Sequence, residues 1–164
     1  MNIRVGQGID FHRLDKGRNL WLGGIKIPSD KGCIAHSDGD VVLHALCDAL
    51  LGAAGLSDIG HYFPDSNDEF KNIDSKILLK RTNIIVLEKG YKVINVDTTV
   101  CLEKPKIASY IPEMKRVISD ILETAPEDIS IKATTTEKLG FTGREEGIAA
   151  LAVVLLKPIS QPSQ

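Results

Sequence analysis

The sequence predicts an α/β fold, an α+β sandwich in which one mixed sheet of about four strands carries helices on one face. Three observations lead there. Segments with strand-like alternation and segments with helical periodicity follow one another along the whole chain, the pattern of a sheet covered by helices. From Asp40 to Ala54 every residue but Asp40, His44, Asp48 and Gly52 is apolar, as in a deeply buried helix. Ile148–Leu156 is almost wholly apolar, as in a strand buried on both faces.

In order along the chain, Asn2–Asp10 alternates loosely and reads as the first strand. Leu20–Ile27, broken by Gly23-Gly24, reads as a hairpin-like pair, and Gly32–Gly39 as a loop. The apolar helix follows and is closed by Gly55. Gly55–Asn67 is punctuated by Gly, Pro and Asp and reads as a surface loop, ahead of a helix over Asp74–Lys89 that ends at Gly90. Tyr91–Cys101 alternates as a strand, Ile111–Thr124 is helical, Ile129–Ala133 is a short strand and Thr134–Gly147 is a polar loop or short helix before the last strand.

A chain of 164 residues fits one domain, placed at residues 1–157, with 158–164 as a flexible tail after Pro158. Its 20 basic and 22 acidic residues are scattered, with no basic block to track a phosphate backbone, so no nucleic-acid partner is expected. No apolar run reaches the ~20 residues of a membrane span. The N-terminus enters a strand pattern at once, which points to a cytoplasmic protein, or to an organellar stroma or lumen if a transit peptide has been removed. Cys33, Cys47 and Cys101 are widely spaced without a CxxC pair, so they read as small buried hydrophobes in a reducing compartment.

The chemistry concentrates in a few places. Asp40, His44 and Asp48 recur every four residues and share one face of the apolar helix, since each step of four drifts by only about 40°. Buried unpartnered, such groups cost several kcal/mol, so this stripe must meet water, partners or a metal. Asp10 and His12, in GIDFHRL, project to one side of the first strand. With His44 they make two imidazoles and a carboxylate, a set that suits Zn²⁺ with an open fourth position. An ion pair of the Asp10/His12 stretch with Arg13 explains the same residues without a metal.

AHSDGD sets Ser37 at an N-cap position with Asp40 three residues on, which matches a capping box, and the same helix end favours phosphate, with His36 as an added donor. KATTTEKLGFTGREEG places Thr134, Thr135, Thr136 and Glu137 at a strand end, followed by Phe141 and Arg144. Hydroxyls suit phosphate oxygens, Glu137 suits a hard cation such as Mg²⁺ and Arg144 can fork onto an oxyanion, while a solvated loop with a capping Thr explains them equally. Asp58, Gly60, Phe63, Pro64 and Asp65 form a loop able to fold over a ligand, and His61 and Tyr62 read as surface residues. Pro105 stiffens a strand-to-helix turn.

The motifs GQGIDFHRL, GGIKIP, AHSDGDVVLHALCDALLGAAGLSDIGHYFPD, PKI and KATTTEKLGFTGREEGIA occur in this order between Ile3 and Leu156. Together they closely resemble the 2-C-methyl-D-erythritol 2,4-cyclodiphosphate synthase family. The resemblance implies one catalytic domain, a homotrimer with active sites between subunits, and a cytidine diphosphate substrate, 4-diphosphocytidyl-2-C-methyl-D-erythritol 2-phosphate, cyclised with loss of CMP. It implies zinc on Asp10, His12 and His44 and a second cation, Mg²⁺ or Mn²⁺, at Glu137. His36 and Ser37 match phosphate-binding positions, Asp58, Ile59 and Gly60 the erythritol contacts, and Phe63, Pro64, Asp65, Ser66 and Asn67 a mobile substrate loop. Pro105, Lys106 and Ile107, with Thr134 and Thr135, match the cytidine and phosphate contacts from the adjacent subunit, Ala108 and Thr136 adjoin them as expected substrate-binding positions, and Phe141 and Arg144 match later positions of the same motif. Ala108-Ser109-Tyr110 stands where the family often shows Pro-His.

In this reading His36 and Thr135 are the catalytic donors to developing phosphate charge, and Asp40 and Asp48 act behind or beside the ligands. The alternative is a zinc-dependent phosphate-ester hydrolase on the same three ligands, with an acid such as Asp48 as base.

Overall fold

A computed structural model describes residues 2–159. Alternation drives the first strand, β1 (Arg4–Lys16), whose even-numbered residues turn inward as far as Leu14 while the odd-numbered ones are exposed. It continues well past Asp10. β2 (Leu20–Leu22) and β3 (Ile25–Ile27) form the expected hairpin about Gly23-Gly24. The segment expected as a loop from Gly32 instead starts inside a further strand, β4 (Lys31–Ile34), which pairs antiparallel with the end of β1. Four residues are too few to display a period, so only the partner reveals them.

The apolar helix is α1 (Val41–Ala54), and its N-cap is Asp40 rather than Ser37. The Asp40 carboxylate accepts the N–H groups of Val42 and Leu43, both at 3.1 Å, and those of Gly23 and Gly24 at 2.9 and 2.6 Å. A carboxylate with four N–H donors outcompetes the Ser37 hydroxyl, whose oxygen instead accepts from Gly39 N–H at 3.1 Å. Burial is complete and pushes the Asp40 carboxyl up to about 6 despite those donors.

The stretch read as a surface loop over Gly55–Asn67 holds a single helical turn, α2 (Ile59–Tyr62), because Asp58 caps it; the remaining elements follow the expected order, with Asp74 capping α3 (Ser75–Glu88). Then come β5 (Tyr91–Cys101), α4 (Ile111–Leu122), β6 (Ile129–Thr134), the short α5 (Gly140–Gly143) and β7 (Gly147–Pro158). Ile159 N–H donates to the Gly90 carbonyl at 2.9 Å. The rest of the expected tail, residues 160–164, lies outside the described residues.

Five strands, not about four, make the main sheet, in the order β4-β1-β7-β5-β6, with the β2-β3 hairpin separate. β5 and β6 run parallel and the other neighbours antiparallel, so the sheet is mixed as expected. The helices cover one face: Ile148, Ala150, Ala152, Val154 and Leu156 of β7 are fully buried beneath them. On the other face Val5, Phe11 and Val153 are 67%, 55% and 41% exposed. The expected burial of β7 on both faces is therefore not met within one chain: among the described residues the short α5 reaches that side near Phe11 and Gly147 but leaves Val5 and Val153 open.

One close approach sets the geometry. A Cβ added to Gly6 would lie 2.0 Å from the Ala49 carbonyl oxygen, and one added to Gly8 would lie 1.9 Å from that of Ala45. The small residues Ala45, Ala49 and Ala53 on one stripe of α1 thus meet two glycines on the inward face of β1, and backbone rests on backbone. Gly8→Ala is expected to lower unfolding stability by about 1–3 kcal/mol through overpacking that no flexible side chain can relieve, measured by urea denaturation.

Candidate active site

That approach delivers Asp10 and His12, two residues apart on β1, to His44 on the first turns of α1. Asp10 Oδ2 lies 2.9 Å from His12 Nδ1 and 3.1 Å from His44 Nδ1. One ligand atom from each residue lies within 4.8 Å of the others, the sole such cluster among the described residues. Burial favours a raised pKa for Asp10, but the close imidazoles of His12 and His44, the latter hydrogen-bonded to it, outweigh it and hold the carboxyl at about 2. For His44, burial opposes the charged form, yet the Asp10 carboxylate pushes its pKa above the usual value.

This donor set fits a zinc ion. Two imidazole nitrogens and a carboxylate oxygen leave one tetrahedral position open. His12 Nδ1 supplies the specific observation: it is buried and close to Asp10 but badly aligned, so it has no hydrogen-bond partner. Buried polar atoms are normally satisfied, and a cation between the three residues would satisfy this one.

The cluster opens into a cleft of about 490 Å³, walled by His36 and Ser37 from the β4–α1 loop, Ile59 and Gly60 of α2, and Phe63, Pro64 and Asp65 beyond it. His36 Nε2 is buried without a partner. Ser37 Oγ stands 3.1 Å from His44 Nε2. Asp48 accepts Ile59 N–H at 2.7 Å and so ties α2 to α1, and burial raises its pKa. Asp58 accepts His61 N–H at 2.9 Å. Ser66 and Asn67 do not line the cleft, and Asn67 accepts Glu69 N–H at 3.0 Å as the cap of a 3-10 turn.

The other expected residues lie elsewhere. Pro105, Lys106, Ile107, Ala108, Thr134 and Thr135 line a second hollow of about 180 Å³ at the ends of β5 and β6, which shares no residue with the cleft. Thr135 Oγ1 donates to Glu137 at 2.9 Å, and Thr136 Oγ1 to the Leu139 carbonyl at 2.7 Å. Glu137 and Lys138 are left-handed at φ 52° and 63°, a turn held by Glu103, which accepts Thr136 N–H at 3.1 Å and Lys138 N–H at 3.3 Å. Phe141 packs edge-on against Phe11 at 5.9 Å, and Arg144 forks onto Glu146 with both contacts at 3.0 Å.

Sequence reasoning passed over Asp38, Ser75 and Glu103. Glu103 is one acid among 22, and Ser75 in NIDSKI looks like any helix start.

Metal-free protein should carry the signature of the triad in its pH dependence. Asp10, depressed from 3.8 to about 2, contributes stability that is present above about pH 4 and lost as pH falls through about 2; His44, raised, contributes stability that is present below its usual 6.5 and lost at pH above it. The difference in melting temperature between the wild-type chain and Asp10→Asn should therefore be greatest between these limits and shrink on both sides.

The YgbB family matches residues 3–157. The 2-C-methyl-D-erythritol 2,4-cyclodiphosphate synthase of Bacteroides fragilis is 57% identical over 159 residues, 97% of this chain and all of that one. A solved 2C-methyl-D-erythritol-2,4-cyclodiphosphate synthase superposes with a TM-score of 0.87 at 38% identity, covering 94% of this chain and 100% of its own. The CDP complex of IspF from Plasmodium falciparum does so with a TM-score of 0.84 at 36% identity, covering 97% and 98%. With the family match running over residues 3–157 and nearly its whole length and its fold shared with these enzymes, the chain belongs to the YgbB family of 2-C-methyl-D-erythritol 2,4-cyclodiphosphate synthases.

Proposed function

We propose that this site converts 4-diphosphocytidyl-2-C-methyl-D-erythritol 2-phosphate into 2-C-methyl-D-erythritol 2,4-cyclodiphosphate and CMP, a lyase step of the non-mevalonate isoprenoid pathway. One observation carries the reading: the Asp10/His12/His44 triad and the unpartnered His36 open onto a single cleft, in a chain whose relatives bear this activity. Residues 1–157 form the one catalytic domain.

Asp10, His12 and His44 hold zinc, and Glu137 holds Mg²⁺ or Mn²⁺. When bound, these ions supply Lewis acids that neutralise diphosphate charge. The substrate's 2-phosphate is already an anionic nucleophile, so its attack on the β-phosphorus requires little from a base. A P–O bond forms at that phosphorus as the bond to CMP breaks. Charge and orientation are the obstacle, and the chain's own residues address both. His36 and Thr135 donate hydrogen bonds to oxygens gaining charge. Ser37 holds a phosphate, Asp58, Ile59 and Gly60 hold the erythritol, and Phe63, Pro64, Asp65, Ser66 and Asn67 close over the substrate and exclude water. Pro105, Lys106, Ile107, Ala108, Thr134, Thr135 and Thr136 hold the cytidine diphosphate, with Phe141 and Arg144 placed along the same segment; the CDP complex of the Plasmodium falciparum relative supports a nucleotide of this kind.

The assembly is a homotrimer with each active site between neighbours. Two features support this: cleft and nucleotide hollow are separate within one chain, and the far face of the sheet is open and apolar. The protein is cytoplasmic, and its three cysteines, all free thiols with Cys33 and Cys47 pushed up to about 12 mainly by burial, suit a reducing compartment.

Phosphorus NMR of the diphosphocytidyl substrate with the protein, zinc and magnesium should show CMP and the cyclic diphosphate. Run in ¹⁸O-water, no solvent oxygen should enter either phosphate; incorporation would favour the hydrolase instead. His44→Ala should lose zinc and nearly all turnover, read by metal analysis beside the assay. Mixed trimers of His44→Ala and Thr135→Ala chains should regain activity that neither variant has alone, because some interfaces then pair two intact halves.

A further inference from the structure

Ser75 opens α3, is fully buried, and has its hydroxyl between two partners. Its Oγ lies 2.5 Å from Asp38 Oδ1 and 2.9 Å from His44 Nε2. Both Asp38 oxygens also accept backbone groups, Asp40 N–H at 3.1 Å and Ser75 N–H at 2.9 Å. A carboxylate only accepts, so the Ser75 proton goes to Asp38 and a lone pair of the Ser75 oxygen faces His44. Nε2 must then donate. Without a metal the imidazolium turns its other proton, on Nδ1, toward Asp10; once a cation displaces that proton, the one kept on Nε2 leaves the Nδ1 lone pair on the metal side. Ser37 also stands 3.1 Å from Nε2, but its hydroxyl is free to donate or accept there and selects no tautomer.

We propose that Ser75, held by Asp38, is a positioning residue for the metal centre: it fixes the Nε2–H tautomer of His44 and so presents the Nδ1 lone pair to the zinc ion. The proposal rests on the zinc reading of the triad. The arrangement is anchored on both sides, since Asp38 N–H donates to the Ile73 carbonyl at 3.1 Å and Asn72 N–H to the His36 carbonyl at 2.7 Å. The start of α3 is thereby stitched to the loop that leads into α1, and a segment remote from the triad in sequence orients one of its rings. Partners of this kind behind a ligating histidine are worth about 10–100-fold in metal affinity.

The test measures zinc affinity by competition with a chromophoric chelator, alongside long-range ¹H–¹⁵N spectra of the His44 ring in metal-free protein, taken above the pH at which its imidazolium loses a proton, and in zinc-loaded protein. Ser75→Ala should weaken zinc binding by about 10–100-fold and abolish the single Nε2–H pattern of His44. Ser75→Thr, which keeps the hydroxyl, should restore both; Ser75→Cys, close in volume but a weak acceptor, serves in place of Ser75→Ala if that variant does not fold. Wild-type affinity together with an unchanged His44 spectrum in Ser75→Ala would overturn the proposal. Absence of zinc binding by the wild-type chain would overturn the zinc reading itself, an outcome distinct from equal binding by both chains.

Discussion

The structure turns on the contact between the inward face of β1 and the small-residue stripe of α1. At Gly6 and Gly8 the strand has no side chains, and Ala45, Ala49 and Ala53 offer the helix backbone nearly bare. Any larger residue on either side would hold the two elements apart, because interiors are close-packed and backbone does not yield as a flexible side chain does. Asp10 follows Gly8 by one inward position, and His44 precedes Ala45. The distance at which strand and helix touch is therefore the distance at which the carboxylate and imidazole meet, 3.1 Å. Packing and ligand geometry are one constraint here.

Asp40 supports that constraint from the side. A fully buried carboxylate is costly, and this one is retained with its charge facing four backbone N–H groups. It starts α1 and at the same time ties down the β2-β3 hairpin, so the helix cannot slide along β1 without breaking both attachments. Asp48, two turns on, fastens α2 to α1 through Ile59 N–H. Of the three acids and bases on the polar stripe, only His44 faces the metal cluster; the two aspartates hold the walls in place.

The chemistry-bearing residues fall into two groups on opposite sides of the sheet order. The triad stands where β1, beside the β4 edge, meets α1, and Thr135 and Glu137 stand beyond β6 at the other edge. In the proposed trimer, copies joined through the open apolar sheet face would set one chain's β6 end beside another's triad, which is what a diphosphate substrate engaging both groups requires. The turn at Glu137, stabilised by Glu103 rather than by the core, places the threonines at a rim where a neighbour can reach them.

The sequence by itself determined the order of the long strands and helices, the helical face shared by Asp40, His44 and Asp48, and the shared strand face of Asp10 and His12. These are local periodicities of 3.6 and 2, which act through the chain's own covalent geometry. The resemblance in five motifs also singled out the family. Only the tertiary structure decided what depends on partners far along the chain. β4 exists because β1 offers it a ladder; Asp40 displaces Ser37 as the cap because Gly23 and Gly24 add to its donors; β7 is open on one side because, among the described residues, only the short α5 packs at the edge of that face. Ser75 and Asp38 reach His44 for the same reason, since a hydrogen bond across 31 residues leaves no mark in local composition.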